Sequence, residues 1–245
     1  MQKWKRQRMG FIDIHSHILP GVDDGSRSME ESLGMLRIAE AEGISCMIAT
    51  PHYKQGRYRA DKKELLDRLK MLREEAQQEG IGIRLHLGTE IFYRAGLEEK
   101  LMRQELCTLN DTDFLLVEFS PFEEYLYIRN AMEELLGMGY CPVAAHVERY
   151  QCLVKDATRA AQLRDMGCRI QVNTGSITGE NGLGARRFVW KLLKRELVDY
   201  LGTDAHNTKT RRPAMRRCAE LLYKKCSREY AQELLFENAA RELFQ

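Results

Sequence analysis

The chain has 245 residues, 44% hydrophobic and 30% charged, which excludes a disordered or collagen-like polymer and allows one large core. Lysine and arginine total 38 against 36 acidic residues, so the net charge is only +2 and no global field favours nucleic acid or an anionic membrane. Any anion binding must be local.

The basic N-terminus, residues 1–9, reads as a flexible extension. No export is predicted from it, because Asp13 and His15 interrupt the apolar stretch that follows. Seven cysteines form an odd set without a C-x-x-C pair, the usage of reduced thiols. No apolar run approaches the ~20 residues of a membrane helix. The expectation is a cytoplasmic protein with no nucleic-acid partner and no direct membrane insertion.

From residue 10 onward, short β-rich runs alternate with longer amphipathic ones. The runs 10–15, 44–50, 83–90, 114–119, 142–147, 169–173 and 198–203 read as strands. Between the first two, the capping box Ser28-Met-Glu-Glu31 opens a helix and Gly43 closes it. From about Asp61 to Glu79, Leu65, Leu69, Leu72 and Ala76 recur at helical spacing. Further helices are predicted near 125–138, 156–167, 184–196 and 213–236, and the glycines from 175 to 184 read as a flexible βα loop. Such alternation predicts a parallel sheet with crossover helices. Without a linker or composition break, residues 10–245 form a single α/β domain. Seven βα units fit a closed, TIM-like barrel, with a flat doubly wound sheet as the alternative.

Every predicted strand ends in a ligand-type side chain: His15 and His17, His52, Glu90, Glu118, His146, Asn173, and Asp204 with His206. In parallel α/β architectures the carboxyl ends of the strands open on one face, so these residues would form a ring there. A single strand-end histidine is ordinarily a polar residue with a local partner. His15-x-His17 is more telling, because alternate strand residues share a face. Glu118 lies in the run Leu-Leu-Val-Glu-Phe, where an ionised carboxylate is costly unless paired or metal-bound. His86, mid-strand, reads as a packing histidine, and Arg27 as a solvated loop charge.

Imidazole and carboxylate ligands without thiolates suit Mn²⁺, Fe²⁺ or Zn²⁺, and their number exceeds the needs of one ion. Two or three metals sharing a bridging carboxylate would suit phosphoester hydrolysis. Arg149 and Arg211-Arg212 follow the fifth and seventh strands, where guanidinium groups could clamp phosphate, although both positions also suit surface arginines. Cysteine-based phosphatase chemistry is excluded, since no Cys-x5-Arg occurs. Neither a phosphate loop nor a dinucleotide fingerprint is present.

The segments Phe-Ile-Asp-Ile-His15-Ser-His17, Val-Asp23-Asp24-Gly, Ala-Thr-Pro-His52, Gly-Thr-Glu90-Ile-Phe-Tyr, Leu-Val-Glu118-Phe, Ala-His146-Val-Glu-Arg149-Tyr and Gly-Thr-Asp204-Ala-His206-Asn carry a resemblance. In this order they resemble the polymerase-and-histidinol-phosphatase (PHP) superfamily, and more closely its bacterial manganese-dependent protein-tyrosine phosphatases of capsular and exopolysaccharide biosynthesis. The resemblance implies a distorted seven-stranded α/β barrel (a (β/α)7 PHP fold) and two or three Mn²⁺ ions, with Fe²⁺, Zn²⁺ or Mg²⁺ as substitutes. It implies His15, His17, Glu90 and Asp204 around the first ion, Glu90 bridging to a second held by Glu118 and His146, and Asp24, His52 and His206 around a third. Arg149 and Arg211 would be the catalytic, phosphate-binding arginines. Glu118 and Asp24, where many superfamily relatives carry His, point to the tyrosine-phosphatase branch.

The implied reaction is hydrolysis of phosphotyrosine by a metal-bound hydroxide, on a protein partner such as a bacterial tyrosine kinase. Alternatives are a histidinol-phosphatase-like phosphoesterase, a metal-dependent exonuclease or phosphodiesterase, and a non-enzymatic interaction module. The doubled arginine departs from the branch's usual spacing and leaves open which of Arg211 and Arg212 enters the site.

Overall fold

Alternating β-branched and helix-forming runs produce parallel strands with helical crossovers. The computed structural model describes residues 10–58 and 60–244. The predicted N-terminal extension, residues 1–9, lies outside them. Among the described residues there are nine strands: β1 Phe11–Ser16, β2 Ile44–Ala49, β3 His52–Tyr53, β4 Arg84–Leu87, β5 Glu90–Phe92, β6 Phe114–Glu118, β7 Cys141–Ala144, β8 Arg169–Asn173 and β9 Tyr200–Gly202.

These strands form two hydrogen-bonded sheets, in the orders β1-β2-β4 and β3-β5-β6-β7-β8-β9, with every pair parallel. The expected count of seven is therefore not what is observed. The expected strand 83–90 is broken at Gly88–Thr89, and an unexpected short strand, β3, follows the expected 44–50 strand beyond Pro51. At the break after β4 the backbone passes a side chain at close range, since a Cβ on Gly88 would lie 2.8 Å from a Leu109 methyl. Beyond β9 the sheet curls back on β1 through a parallel bridge between Ser16 and Ala205, with Asp204 N donating to His15 O at 2.8 Å. The result is one mixed α/β domain built on a curled parallel sheet.

Helices follow the sequence signals where capping is explicit. Ser28 Oγ accepts from Glu31 N at 3.2 Å to open Met29–Ala41, and Asp61 does the same for Lys62–Gln78 through Glu64 N at 2.8 Å. Two readings need correction. The region read as one helix over 213–236 is divided: Arg216–Lys225 ends at Cys226, and Ser227 caps a new segment that runs on through Asn238–Leu243. The glycine-rich loop contains a short helix, Thr174–Thr178.

Strand alternation sorts the core. Leu115 and Val117 face the helices, whereas Leu116 joins Ile12, Ile14, Cys46, Ile48, Val143 and Tyr200 inside the curl. Ala239 and Leu243 pack against that inner cluster, so the C-terminal helix closes one end. Glu118 continues the parity of Leu116 and therefore projects inside the opposite end. No helix among the described residues is long and apolar enough to cross a membrane. All seven cysteines are free, and Cys46, Cys107, Cys168 and Cys218 are buried.

Candidate metal centre

All nine sequence-predicted ligands converge at the carboxyl ends of the strands. They fall into four overlapping groups whose ligand atoms lie within 4.8 Å of one another: His17, Asp24, His52 and His206; His15, Glu90 and His146; His15, His17 and Asp204; and His52, Glu90 and Glu118. The partition differs in detail from the one the resemblance implies, because His17 also joins Asp24, and His52 also approaches Glu90.

Register and backbone strain explain the convergence. His52 on β3 stands directly opposite Glu90 on β5. His146 and Asp204 adopt left-handed backbone conformations, with φ of 32° and 53°, which turn the chain off the strand direction as it reaches the site. That turn is why β7 ends at Ala144, short of the expected 147. Beside the first histidine pair, Gly25 has no room for a side chain: a Cβ there would lie 2.2 Å from His17 O.

Glu90 is the hub. It is fully buried, its Oε2 lies 3.3 Å from His15 Nε2, 3.2 Å from His17 Nε2 and 3.0 Å from His52 Nδ1, and its Oε1 lies 2.7 Å from His146 Nε2. Glu118 Oε1 is 3.5 Å from the same His146 nitrogen. Asp24, the most exposed of the nine, lies 3.4 Å from His52 Nε2 and 3.6 Å from His206 Nε2.

The donor set fits a divalent cation. His17 Nδ1 donates to Asp23 Oδ2 at 2.7 Å and His206 Nδ1 to Asp204 O at 2.9 Å, so in the neutral imidazole each Nε2 carries the lone pair. His15 Nε2 and His17 Nε2 nevertheless stand 3.2 Å apart. Glu90 Oε2 and His146 Nδ1 are buried without a hydrogen-bond partner among the described residues. Lone pairs and carboxylate oxygens facing one another at such range form a donor set that a shared cation would satisfy.

The charges around the cluster set the protonation of its members. Burial opposes charge on His15 and His17, yet Glu90 and Asp204 raise the first, and Asp23 with Asp204 and Glu90 holds the second well above the ordinary imidazole range. Burial would raise Glu90, but His15, His52 and His146 outweigh it and keep the carboxyl well below its usual value. Burial and the Glu90 charge push Glu118 up to about 7. Burial and Arg149 lower His146 to about 4, and burial and His17 lower His206 to about 2.

Both sequence-predicted arginines reach this cluster. Arg149 pairs with Asp204 Oδ2, and Arg211 Nη2 lies 2.7 Å from Asp204 Oδ1. The Arg211 loop is built by Asn207, whose Oδ1 accepts from the backbone of Lys209, Thr210 and Arg211 at 2.9, 2.9 and 3.1 Å. Arg212 borders the same small cavity, of about 80 Å³, but is exposed and stands outside the Asp204 pairing. A larger cavity of about 530 Å³ lies at the opposite end of β8 and β9, where its charged groups pair internally, Arg164 with Asp199 at 2.9 Å and Arg169 with Glu242 at 3.0 Å.

Sequence reasoning missed the supporting groups. Asp23, quoted beside Asp24 but given no role, holds both His17 and the backbone N of His52, the latter at 2.9 Å. Asp13 accepts from His15 N at 3.2 Å and from Thr203 N and Oγ1 at 2.9 and 2.5 Å, and burial raises its carboxyl to about 6. A buried aspartate in the middle of an apolar strand was the available signal. His86 is indeed a packing residue, bonded to Asn110 Oδ1 at 2.6 Å and set edge-on to Phe244.

The family of capsular polysaccharide synthesis proteins CpsB/CapC matches residues 11–244. The chain belongs to this family. It is 34% identical over 233 residues to the tyrosine-protein phosphatase CpsB of Streptococcus pneumoniae, covering 93% of this chain and 96% of that protein. It is also 34% identical over 202 residues to the tyrosine-protein phosphatase YwqE of Bacillus subtilis strain 168, covering 82% and 79%. Among solved structures it superimposes with a TM-score of 0.85 and 32% identity, over 90% of this chain and 89% of the other. That structure comes from work on YwqE of Bacillus subtilis and CpsB of Streptococcus pneumoniae, described as unique metal-dependent tyrosine phosphatases.

Proposed function

We propose that this chain is a metal-dependent protein-tyrosine phosphatase. Residues 10–245 would form its catalytic domain, a distorted barrel of seven βα units, and its phosphorylated partner would be a bacterial tyrosine kinase governing capsular or exopolysaccharide synthesis. One observation carries the reading: the buried Glu90 carboxylate is met by four imidazoles while two arginines reach the adjoining Asp204. The full-length family match, and relatives that carry the same activity in their names, support it.

His15, His17, Glu90 and Asp204 would hold one ion, Glu90, Glu118 and His146 a second, and Asp24, His52 and His206 a third, with Mn²⁺ the expected metal. When bound, the ions supply Lewis acidity at phosphorus and lower the pKa of water to near neutrality. The chain's own groups do the rest. Arg149 and Arg211 bind non-bridging phosphate oxygens and neutralise charge that grows as the ester bond breaks. Asp23 and Asp204 O retain the protons on His17 Nδ1 and His206 Nδ1, which keeps each Nε2 a donor. A departing phenolate has a pKa near ~10, so the leaving oxygen needs less protonation than an alkoxide would.

The test compares a phosphotyrosine peptide, a phosphoserine peptide and histidinol phosphate with Mn²⁺ present. The phosphotyrosine peptide should give the highest kcat/KM. Faster turnover of either other substrate would remove the substrate assignment and leave the fold intact.

A further inference from the structure

Gln171 lies fully buried on β8, and none of the motifs includes it. Its amide oxygen accepts from the backbone N–H of His146 at 2.7 Å and stands 3.2 Å from Nδ1 of His15. Its amide nitrogen donates to Asn173 Oδ1 at 2.9 Å, and Asn173 Nδ2 donates to Asp204 Oδ2 at 2.9 Å.

The direction of this relay is forced. A backbone N–H can only donate, so the Gln171 atom facing His146 N must be its oxygen. The NH₂ group then faces Asn173, whose oxygen must receive it and whose own NH₂ must turn to the Asp204 carboxylate. Because the Gln171 oxygen cannot donate, the shared proton with His15 belongs to Nδ1. The lone pair is left on Nε2, the atom that faces His17, Glu90 and Asp204. A single unambiguous donor, His146 N, thus sets the tautomer of one candidate ligand and the orientation of another.

Backbone packing leaves space for nothing else. A Cβ on Gly202 would lie 2.5 Å from His15 Cβ and 2.9 Å from Gln171 Nε2, so the glycine lets β9 close over the relay.

We propose that Gln171 is a positioning residue that holds His15, His146 and Asp204, from three separate strand ends, in the one arrangement that accepts a divalent cation. This rests on the reading of the cluster as a metal centre. Glutamate at 171 could accept from His15 and His146 but could not donate to Asn173, so it would keep half of the relay. Leucine would keep none.

Mn²⁺ affinity is measured by calorimetry on the full chain stripped of metal, beside the thermal midpoint of each stripped protein. Gln171→Leu should lose about 10–100-fold in affinity, the usual effect of removing a group that orients metal ligands. Gln171→Glu should lose less than Gln171→Leu, at comparable metal-free midpoints. If Gln171→Leu does not fold, Asn173→Leu, which removes the links to both Gln171 and Asp204 but leaves Gln171 on His15 and His146, is compared with Gln171→Glu and should show reduced affinity. Affinities within about 3-fold of the parent in the folded variants, or equal losses in the leucine and glutamate variants, would overturn the relay while leaving the metal centre standing. A parent chain that binds no Mn²⁺ would overturn both.

Discussion

The Asp23 carboxylate accepts a hydrogen bond from His17 Nδ1 at 2.7 Å, and its covered side chain is held below the usual carboxylate range, at about 2, by that imidazole against the opposing effect of burial. The same carboxylate accepts from Gly25 N at 2.9 Å and from His52 N at 2.9 Å, so one side chain locks two candidate ligands and the turn between them. Asp23→Asn should release the His17 tautomer and weaken Mn²⁺ binding by about 10–100-fold, with kcat/KM falling in parallel at subsaturating metal. Metal titration followed by activity checks this. Unchanged affinity would mean that His17 needs no partner behind it.

The two arginines at residues 211 and 212 make a matched pair for mutation. Arg211 reaches Asp204 through a turn centred on Asn207, whereas Arg212 is exposed beside the same cavity. Arg211→Ala should lower kcat by about 10²–10³-fold, the cost of losing one donor that meets developing charge. Arg212→Ala should change kcat less than about 3-fold on the same scale. Steady-state kinetics on an aryl phosphate separates them, and a larger loss at 212 would reverse the assignment.

How far the sequence led can be judged from particular residues. His15, Glu118 and Asp204 could be found because a titratable side chain closing an apolar run has no inexpensive structural explanation. The partners behind them could not be found this way. Asn173 could be placed at the end of the sixth strand, but Gln171 is uncharged and mid-strand, and the bonds that give both their meaning reach residues far away in sequence that only strand register brings near. The left-handed turns at His146 and Asp204 are likewise invisible, since neither residue type requires positive φ. Nor does local patterning show that the expected 83–90 strand divides at Gly88–Thr89, where Leu109, distant in sequence, lies close to the backbone. Ser227, by contrast, was a legible helix cap inside the region read as one helix.

Removal of metal should act on stability as well as on turnover. Four imidazoles and the carboxylates of Glu90, Glu118 and Asp204 face each other within a few bond lengths, an arrangement that a bound cation relieves. A chelator should abolish hydrolysis, and Mn²⁺ at 100 times its dissociation constant should stabilise the chain by about 2.7 kcal/mol through mass action alone. For a domain of this size that is on the order of 5–10 °C in Tm. A thermal midpoint indifferent to Mn²⁺, in a chain still active after chelation, would detach both the stability and the chemistry from the cluster.

At the end of the sheet remote from the cluster, Glu242 anchors the C-terminal helix. Arg169 holds it through two bonds, at 3.0 and 3.2 Å, and the Tyr200 hydroxyl donates to the same carboxylate. Burial alone would raise its carboxyl, but Arg169 and Tyr200 outweigh that effect and lower it from 4.5. A carboxyl lowered in the folded state contributes stability above its unfolded pKa and loses it as the pH falls through the folded value. The Tm of the parent should therefore exceed that of Glu242→Gln near pH 7, and the gap should narrow below about pH 4.5, the ordinary carboxyl range. Leu243→Ala, which empties a fully buried site in the inner cluster beside it, should cost about 2–5 kcal/mol at every pH. Thermal scans of the three proteins from pH 3 to pH 8 distinguish the cases, and a Glu242→Gln gap that stays constant across that range would show that the carboxylate's charge contributes nothing to holding the helix.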